Sequence, residues 1–265
     1  MIRPLESLIA TCLRGGLVER RLPFVARELA GVRTVHAYRV RANGLCLYLQ
    51  HATPDVDGLD QTFYQGMFNM PQPVATALSG LGHAPAALDL GGNIGLFGLW
   101  MFGHFPEGSV VAFEPDPRNA RLLSRTIEAN GLQERWSLVE AAVGTKAGEV
   151  RFAAGEYGSS HIASVADSGA LTVPLVDLFD YTPGIDLLKI DIEGAEWEIL
   201  QDDRFKDVEA RAIALDYHAQ GCPEEDPHRA AERLMTGLGF QTQAVPQEGA
   251  SGGMLWCWRD ATDDR

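Results

Sequence analysis

The 265-residue chain has few cysteines, and none are arranged to work together. Cys12, Cys46, Cys222 and Cys257 are scattered without a Cys-x-x-Cys pair, which argues against both a zinc site and a disulfide framework. A reduced, cytoplasmic setting is the simplest expectation. No uninterrupted apolar stretch of signal-peptide or membrane-spanning kind is present. The nearest approach, residues 86–105, is broken by Asp89, Asn93 and five glycines, which a lone lipid-exposed helix would carry at high cost. A surplus of positive charge is missing too. The formal net charge is −14 at pH 7, which opposes general affinity for nucleic acid. That charge is uneven: residues 1–41 carry eight arginines against three glutamates, a local +5 that leaves −19 for the rest. A basic extension lying on an acidic domain is expected, with a docking surface for an acidic partner or a second subunit as the alternative. There are no repeats and no low-complexity segments.

What is present is organised around Ala86-Ala87-Leu88-Asp89-Leu90-Gly91-Gly92-Asn93-Ile94-Gly95. An apolar run breaks into glycines and resumes as a helical pattern from Leu96 to Phe102, which describes a buried strand, a tight loop and a helix N-terminus. A second apolar run, Val110 to Phe113, ends in Glu114. A carboxylate at the end of the second strand of an open α/β sheet can accept both ribose hydroxyls of an adenosine. The loop lacks the G-x-G-x-x-G spacing that brings backbone amides to a pyrophosphate. Its acidic and amide groups suit a sulfonium and an amino-acid tail better, favouring S-adenosylmethionine over NAD. A purely structural strand-to-helix turn remains the plain alternative for this loop alone.

Along the chain, the spacing predicts two short helices between Leu5 and Leu29 and a hairpin of strands 34–40 and 45–49 around Asn43-Gly44. Residues 51–58 read as a polar, turn-rich link, and a helix follows from about Pro71 to Leu81. The aromatic stretch Phe63 to Phe68 suits a lid or ordinary core packing equally. The expected organisation is an extension over residues 1–82, doubling as a substrate lid, and a cofactor-binding domain over 83–265. From Ala86 onward strands and helices alternate. Strands are expected to end at Leu90, Glu114, Val143, Asp191 and Tyr217, and helices to span 117–130, 194–200 and 224–238. A short extra strand at 148–152 precedes a polar loop at 155–169, residues 172–176 form an apolar stretch leading to Asp177, and a closing hairpin is expected from 240–245 and 254–258. This pattern implies an α/β fold: a Rossmann-like, seven-stranded, mostly parallel sheet with helices on both faces and an antiparallel C-terminal strand.

The run Asp186-Leu187-Leu188-Lys189-Ile190-Asp191-Ile192-Glu193-Gly194-Ala195-Glu196 carries the second cluster of chemistry. Strand alternation puts Lys189, Asp191 and Glu193 on one side. Three charges at the end of an apolar strand are costly unless they pair or work. Lys189 and Glu193 neutralising each other, with Glu193 and Glu196 complementing a helix N-terminus, is the structural alternative.

Four ordered stretches resemble the motifs of FkbM-type methyltransferases: 88–95, Phe113-Glu114-Pro115, Ala141-Ala142-Val143-Gly144 and 189–196. The resemblance spans roughly residues 60–245. It implies a class I S-adenosylmethionine-dependent fold in which Asp89, Gly91, Asn93, Ile94 and Gly95 hold the methionine part of the cofactor. Glu114 and Pro115 would take the ribose, and Glu140, Ala141 and Ala142 would flank the adenine. Asp191 would sit beside the cofactor. The sequence departs from the family pattern at Gly92, at Val176-Asp177 and at Asp216-Tyr217-His218, where Glu-x-His is typical. The implied reaction is methyl transfer to a hydroxyl of a small metabolite or sugar, with Asp191 or His218 taking the proton and Lys189 in the catalytic group. Asp191, Asp216 and His218 are also candidate ligands for a divalent metal, a reading less favoured than direct base catalysis. The acceptor would be selected by residues 51–70 and by Tyr157, Ser159, Ser160 and His161 of the polar loop. N-methylation, an NAD-dependent oxidoreductase and a non-catalytic cofactor-binding protein are the other readings.

Overall fold

A computed structural model describes residues 3–153, 161–162, 170–245 and 252–259. Helices α1 (Arg3–Gly15) and α2 (Arg21–Ala30) lead into an antiparallel hairpin of β1 (Val35–Arg39) and β2 (Cys46–Gln50), then α3 (Asp55–Phe63) and α4 (Gln72–Ser79). The alternating region opens with β3 (Ala86–Leu90), α5 (Leu96–His104), β4 (Ser109–Phe113), α6 (Pro117–Ala129) and β5 (Trp136–Val139). A smaller sheet follows, of β6 (Ala142–Gly144), β7 (Gly148–Ala153), β8 (His161–Ile162) and β9 (Leu171–Asp177). The chain closes with β10 (Leu187–Ile190), α7 (Glu196–Gln201), β11 (Ala212–His218), α8 (Pro227–Gly237), β12 (Gln241–Val245) and β13 (Gly252–Trp258).

The seven-stranded sheet runs β5-β4-β3-β10-β11-β13-β12. All neighbours from β5 to β11 are parallel, and β13 is antiparallel to both β11 and β12. This is the expected mostly parallel sheet with one reversed strand near the C-terminus, the strand order of the class I methyltransferase fold. The chain moves outward from β3 to β5 and then returns to lay β10 on the other side of β3. That reversal opens a crevice beyond the C-terminal ends of β3 and β10, where open α/β sheets bind ligands.

Two sequence expectations need correction. Residues 136–143 are not one strand, because the Ala141 amide turns back to the Val139 carbonyl. The turn sends β5 into the large sheet and β6 into the small one. The 51–58 link is partly helical: α3 starts at Asp55 behind Pro54, with Asp55 and Asp57 in its first turn complementing the helix dipole. The polarity that reads as a turn is the signature of a helix start.

The N-terminal extension does not form a separate core. Val18, Phe24, Tyr38, Leu47, Leu49, Val56 and Leu59 are almost completely buried, in the same cluster as Phe97, Leu99 and Met101 of α5. Fully burying one such side chain is worth about 1.5–3 kcal/mol, so exposing even four approaches the entire stability of a domain. Phe68 packs edge-on against Phe97, with ring centroids 5.3 Å apart, while Tyr64 stays exposed. No helix among the described residues is long and apolar enough to cross a membrane.

Candidate active site

Strand pleating brings the charged residues of three strands onto one face. Leu88 and Leu90, Leu188 and Ile190, and Ile213 and Leu215 face one core; Ala87, Leu187 and Ala214 face the other. Asp89, Lys189 and Asp216 alternate onto this second face. Lys189 pairs in register with Asp89 across the β3–β10 junction and with Ala214 across β10–β11. The result is a row of charge at the sheet's C-terminal edge, under the glycine loop.

Lys189 is the staple of that row. Its ammonium lies 3.1 Å from Asp89 and 3.3 Å from Asp191, and donates to the carbonyls of Leu90 (3.1 Å) and Gly91 (2.6 Å). Burial opposes its charge, but the two carboxylates outweigh burial and hold it protonated well above its ordinary range. Its donors are spent on the loop and two acids. The loop it holds requires glycine at 91: φ is +82°, and a Cβ there would come within 2.0 Å of the Asp191 carbonyl.

Glu114 follows β4 and is 5 % exposed. One oxygen accepts from the Asn93 amide at 2.7 Å, the other from the Asp116 amide at 2.8 Å. The strand-two carboxylate and the glycine loop are therefore in direct contact. Burial outweighs those two bonds and pushes the carboxyl up to about 7. Asp116 in turn caps α6, accepting from the Arg118 amide at 2.7 Å.

On the other flank, His218 is held between two glutamates. Its Nδ1 is 3.2 Å from Glu196 Oε1 and its Nε2 is 3.4 Å from Glu193 Oε2. The buried Glu196 also accepts from the backbone amides of His218 and Gly194, both at 2.7 Å, tying β11 to the turn before α7. Burial disfavours the imidazolium, but the Glu196 hydrogen bond and the charges of Glu196, Asp191 and Asp216 raise His218 to about 9. That shift favours the imidazolium at neutral pH. Asp216 is pushed up to about 8 by burial and the neighbouring Asp191.

Two adjoining cavities meet at this edge. The first, about 260 Å³, is lined by Gly91, Asn93, Phe113, Glu114, Pro115, Ala141, Ala142, Phe152, Asp191 and Ile192, and also by Arg33, Gln50, Thr53, Pro54, Asp55 and Arg118. The second, about 340 Å³, has an apolar wall of Met67, Phe68, Leu96 and Phe97 facing Asp57, Lys189, Asp191, Glu193, Asp216 and His218. Pro54, Gly91, Asn93, Asp191 and Glu193 line both.

Most of the sequence-predicted cofactor residues reach the first cavity, but not all. Asp89 is completely buried beneath the loop against Lys189, and Ile94 packs in the core. Gly95 abuts Leu123 and Trp136, and Glu140 is exposed past the end of β5. None of these four lines either cavity. Of the metal candidates, Asp191 and His218 cluster with Glu193, their ligand atoms within 4.8 Å of one another; Asp216 is not in that set. Within that set Asp191 also pairs with Lys189, and the two ring nitrogens of His218 lie against Glu196 and Glu193. Tyr157, Ser159 and Ser160 lie outside the described residues. Thr53, Pro54 and Asp55 belong to the 51–70 stretch expected to select the acceptor but line the first cavity, Pro54 lining the second as well; Arg33, Gln50 and Arg118 were missed from sequence, because their approach is a matter of packing between distant segments.

Comparison with known proteins gives a family match over the same stretches. The family described as Methyltransferase FkbM domain matches residues 89–242, more than half of the chain, from the end of β3 through β11 and α8. Methyltransferase sdnD of Sordaria araneosa is 29% identical over 154 residues, covering 44% of this chain and 60% of that protein. Methyltransferase 1 of Beauveria bassiana is 26% identical over 182 residues, 58% of this chain and 71% of that protein. A crystal structure of an FkbM methyltransferase from Methylobacillus flagellatus aligns with a TM-score of 0.47 at 15% identity, covering 78% of this chain and 54% of that one. The matched span holds the glycine loop, the Glu114 carboxylate and the Lys189–Glu196 run, and with them the chain belongs to the FkbM methyltransferase family.

Proposed function

We propose that the protein transfers a methyl group from S-adenosylmethionine to a hydroxyl oxygen of a small metabolite or sugar. The observation that carries this reading is the pair of cavities meeting at Gly91, Asn93, Asp191 and Glu193, with the buried Glu114 in only one of them. The first cavity fits an adenosyl cofactor on its own terms. Each Glu114 oxygen has one backbone donor and spare acceptor capacity, and two ribose hydroxyls would relieve the burial that pushes its carboxyl up to about 7. Ala141, Ala142, Phe113 and Phe152 offer apolar surface for a base. Bound there, the cofactor supplies an already activated methyl group on a sulfonium.

The chain's own contribution is then mainly positional. The apolar wall of Met67, Phe68, Leu96 and Phe97 holds the acceptor body and keeps water out. Asp191, which lines both cavities, takes the hydroxyl proton on its carboxylate, and the imidazolium of His218 and the ammonium of Lys189 keep the surrounding carboxylates balanced. The overall acidity of the chain favours a small-molecule acceptor over nucleic acid.

The test is a labelled-methyl assay against a broad panel of hydroxylated and amino metabolites, with products identified by mass spectrometry. Methyl ethers support the proposal. Methylamines as the only products would move the chemistry to nitrogen. Binding of S-adenosylhomocysteine with no methyl transfer to any acceptor would favour a non-catalytic role.

A further inference from the structure

The family match begins at residue 89, yet part of the first cavity's wall comes from before it: Arg33, Gln50, Thr53, Pro54 and Asp55. The 50–55 segment is held from both sides. On the outside, His51 is completely buried, its Nδ1 2.9 Å from Glu28 and its Nε2 2.7 Å from the Tyr38 hydroxyl. Ala52 follows with a left-handed φ of +53° and donates its amide to the same Glu28. On the inside, Arg118 lines the cavity beside the segment. Its two terminal nitrogens donate to the two oxygens of Asp55 at 2.8 and 2.6 Å, and its fork also meets the Gln50 side-chain oxygen at 3.1 and 3.3 Å. Asp55 is nearly buried and also accepts from the Gln50 amide at 2.8 Å.

Arg118 is in an unfavourable place for a cation. It is the second residue of α6, where the helix dipole is positive and a basic side chain costs about 0.3–1 kcal/mol. What it gains there is the bidentate pair with Asp55, the strongest common geometry for an arginine and a carboxylate. Its backbone is tied to the site from the other direction, since Asp116 accepts from the Arg118 amide and donates its own amide to Glu114. One short stretch, 114–118, thus carries the ribose carboxylate at one end and the anchor for the N-terminal wall at the other.

We propose that Asp55 and Arg118 are a positioning pair for the cofactor: their ion pair holds the 50–55 segment across the first cavity, making the N-terminal unit part of the cofactor site. This rests on the reading of that cavity as the S-adenosylmethionine site. The pair closes the nucleoside side of the cavity and excludes water from it, so its loss acts mainly on how long the cofactor stays bound.

The experiment measures S-adenosylhomocysteine affinity by calorimetry and its dissociation rate by stopped flow, for the full chain and for Asp55→Asn, Arg118→Lys, Arg118→Met and the Asp55→Asn/Arg118→Met double variant. Asp55→Asn and Arg118→Met are expected to weaken affinity about 10- to 50-fold, chiefly through faster dissociation, the range for losing one half-buried charge-assisted pair. Arg118→Lys keeps the charge without the fork and recovers part of the loss. The double variant is no weaker than the worse single variant, because the two side chains act as a unit. A pair that only stabilises the fold lowers the melting temperature but leaves affinity and dissociation rate within twofold of the parent, and that result overturns the proposal. Should Arg118→Met fold poorly, the near-isosteric Asp55→Asn and the charge-preserving Arg118→Lys separate the same two outcomes. A parent chain that does not bind S-adenosylhomocysteine refutes the cofactor reading itself, and with it the pair.

Discussion

Glu114 is the residue whose chemistry can be tested without knowing the acceptor. Its carboxyl is pushed up to about 7 from an ordinary 4.5, because burial outweighs the Asn93 and Asp116 amides that donate to it. The sign follows from linkage. The folded chain keeps a proton on Glu114 up to about pH 7, while the unfolded chain releases it near 4.5. Stability from this site is therefore fully present below 4.5 and declines as pH rises through 7. The gap between those two values corresponds to about 3 kcal/mol, complete by about pH 8. Glu114→Gln cannot ionise, so its stability relative to the parent should improve by about 3 kcal/mol between about pH 4.5 and 8, read from urea midpoints at each pH. The absolute offset between the two proteins also contains the loss of one acceptor for a buried amide, and the slope removes it. Cofactor should reverse the effect, since ribose hydroxyls compensate an ionised carboxylate. S-adenosylhomocysteine should accordingly bind the parent about thirtyfold more tightly at about pH 8 than at about pH 5.5, and bind Glu114→Gln weakly at both. A stability difference that stays flat with pH, together with a dissociation constant that does the same, would refute the assignment of Glu114 as a buried carboxyl waiting for hydroxyl donors.

Three further outcomes follow from the charged row. Asp191→Asn is expected to cut turnover by about 10²–10⁴ with S-adenosylhomocysteine affinity nearly unchanged, and parent activity should survive EDTA; loss on chelation with recovery on added Mg²⁺ would make Asp191, Glu193 and His218 ligands instead. Lys189→Met leaves Asp89 buried without its counter-charge and should cost about 3–5 kcal/mol in urea unfolding, part of it recovered in the Asp89→Asn/Lys189→Met double variant. His218 is raised to about 9, so the stability it contributes is full below pH 6.5 and lost as pH rises through 9. His218→Gln should consequently destabilise more at about pH 6 than at about pH 10, and equal losses at both would show that the Glu196 pairing does not hold the imidazolium.

Much of the site was legible because it is written in short stretches. A glycine loop after a strand, a carboxylate ending the next strand and a run of alternating charges each occupy fewer than a dozen residues, and their backbone geometry follows from local rules. The alternation of 186–193 correctly places Lys189 and Asp191 together, since strand pleating is local. The same rules mistook the start of α3 for a turn and joined β5 to β6, because a polar helix start resembles a loop and the reversal around Glu140 shows only as a single polar position in an apolar run. Asp89 is the instructive case. Its position in the motif points to the cofactor, but in the fold it is completely buried and spends its charge on Lys189.

The sequence by itself determined the alternating architecture, the glycine loop, the carboxylate that follows β4 and the family, all of which depend on spacing within short strand-loop-helix units. Only the tertiary structure decided which groups face each other across the crevice. It set Lys189 between Asp89 and Asp191, His218 between Glu193 and Glu196, and Arg118 against Asp55 from 63 positions away in the chain. Such pairings depend on sheet order and on the packing of the N-terminal unit, and the protonation of Glu114 and His218 depends on the burial and charge those pairings create. A residue's chemical type is local, whereas its solvation and its partners are collective properties of the fold.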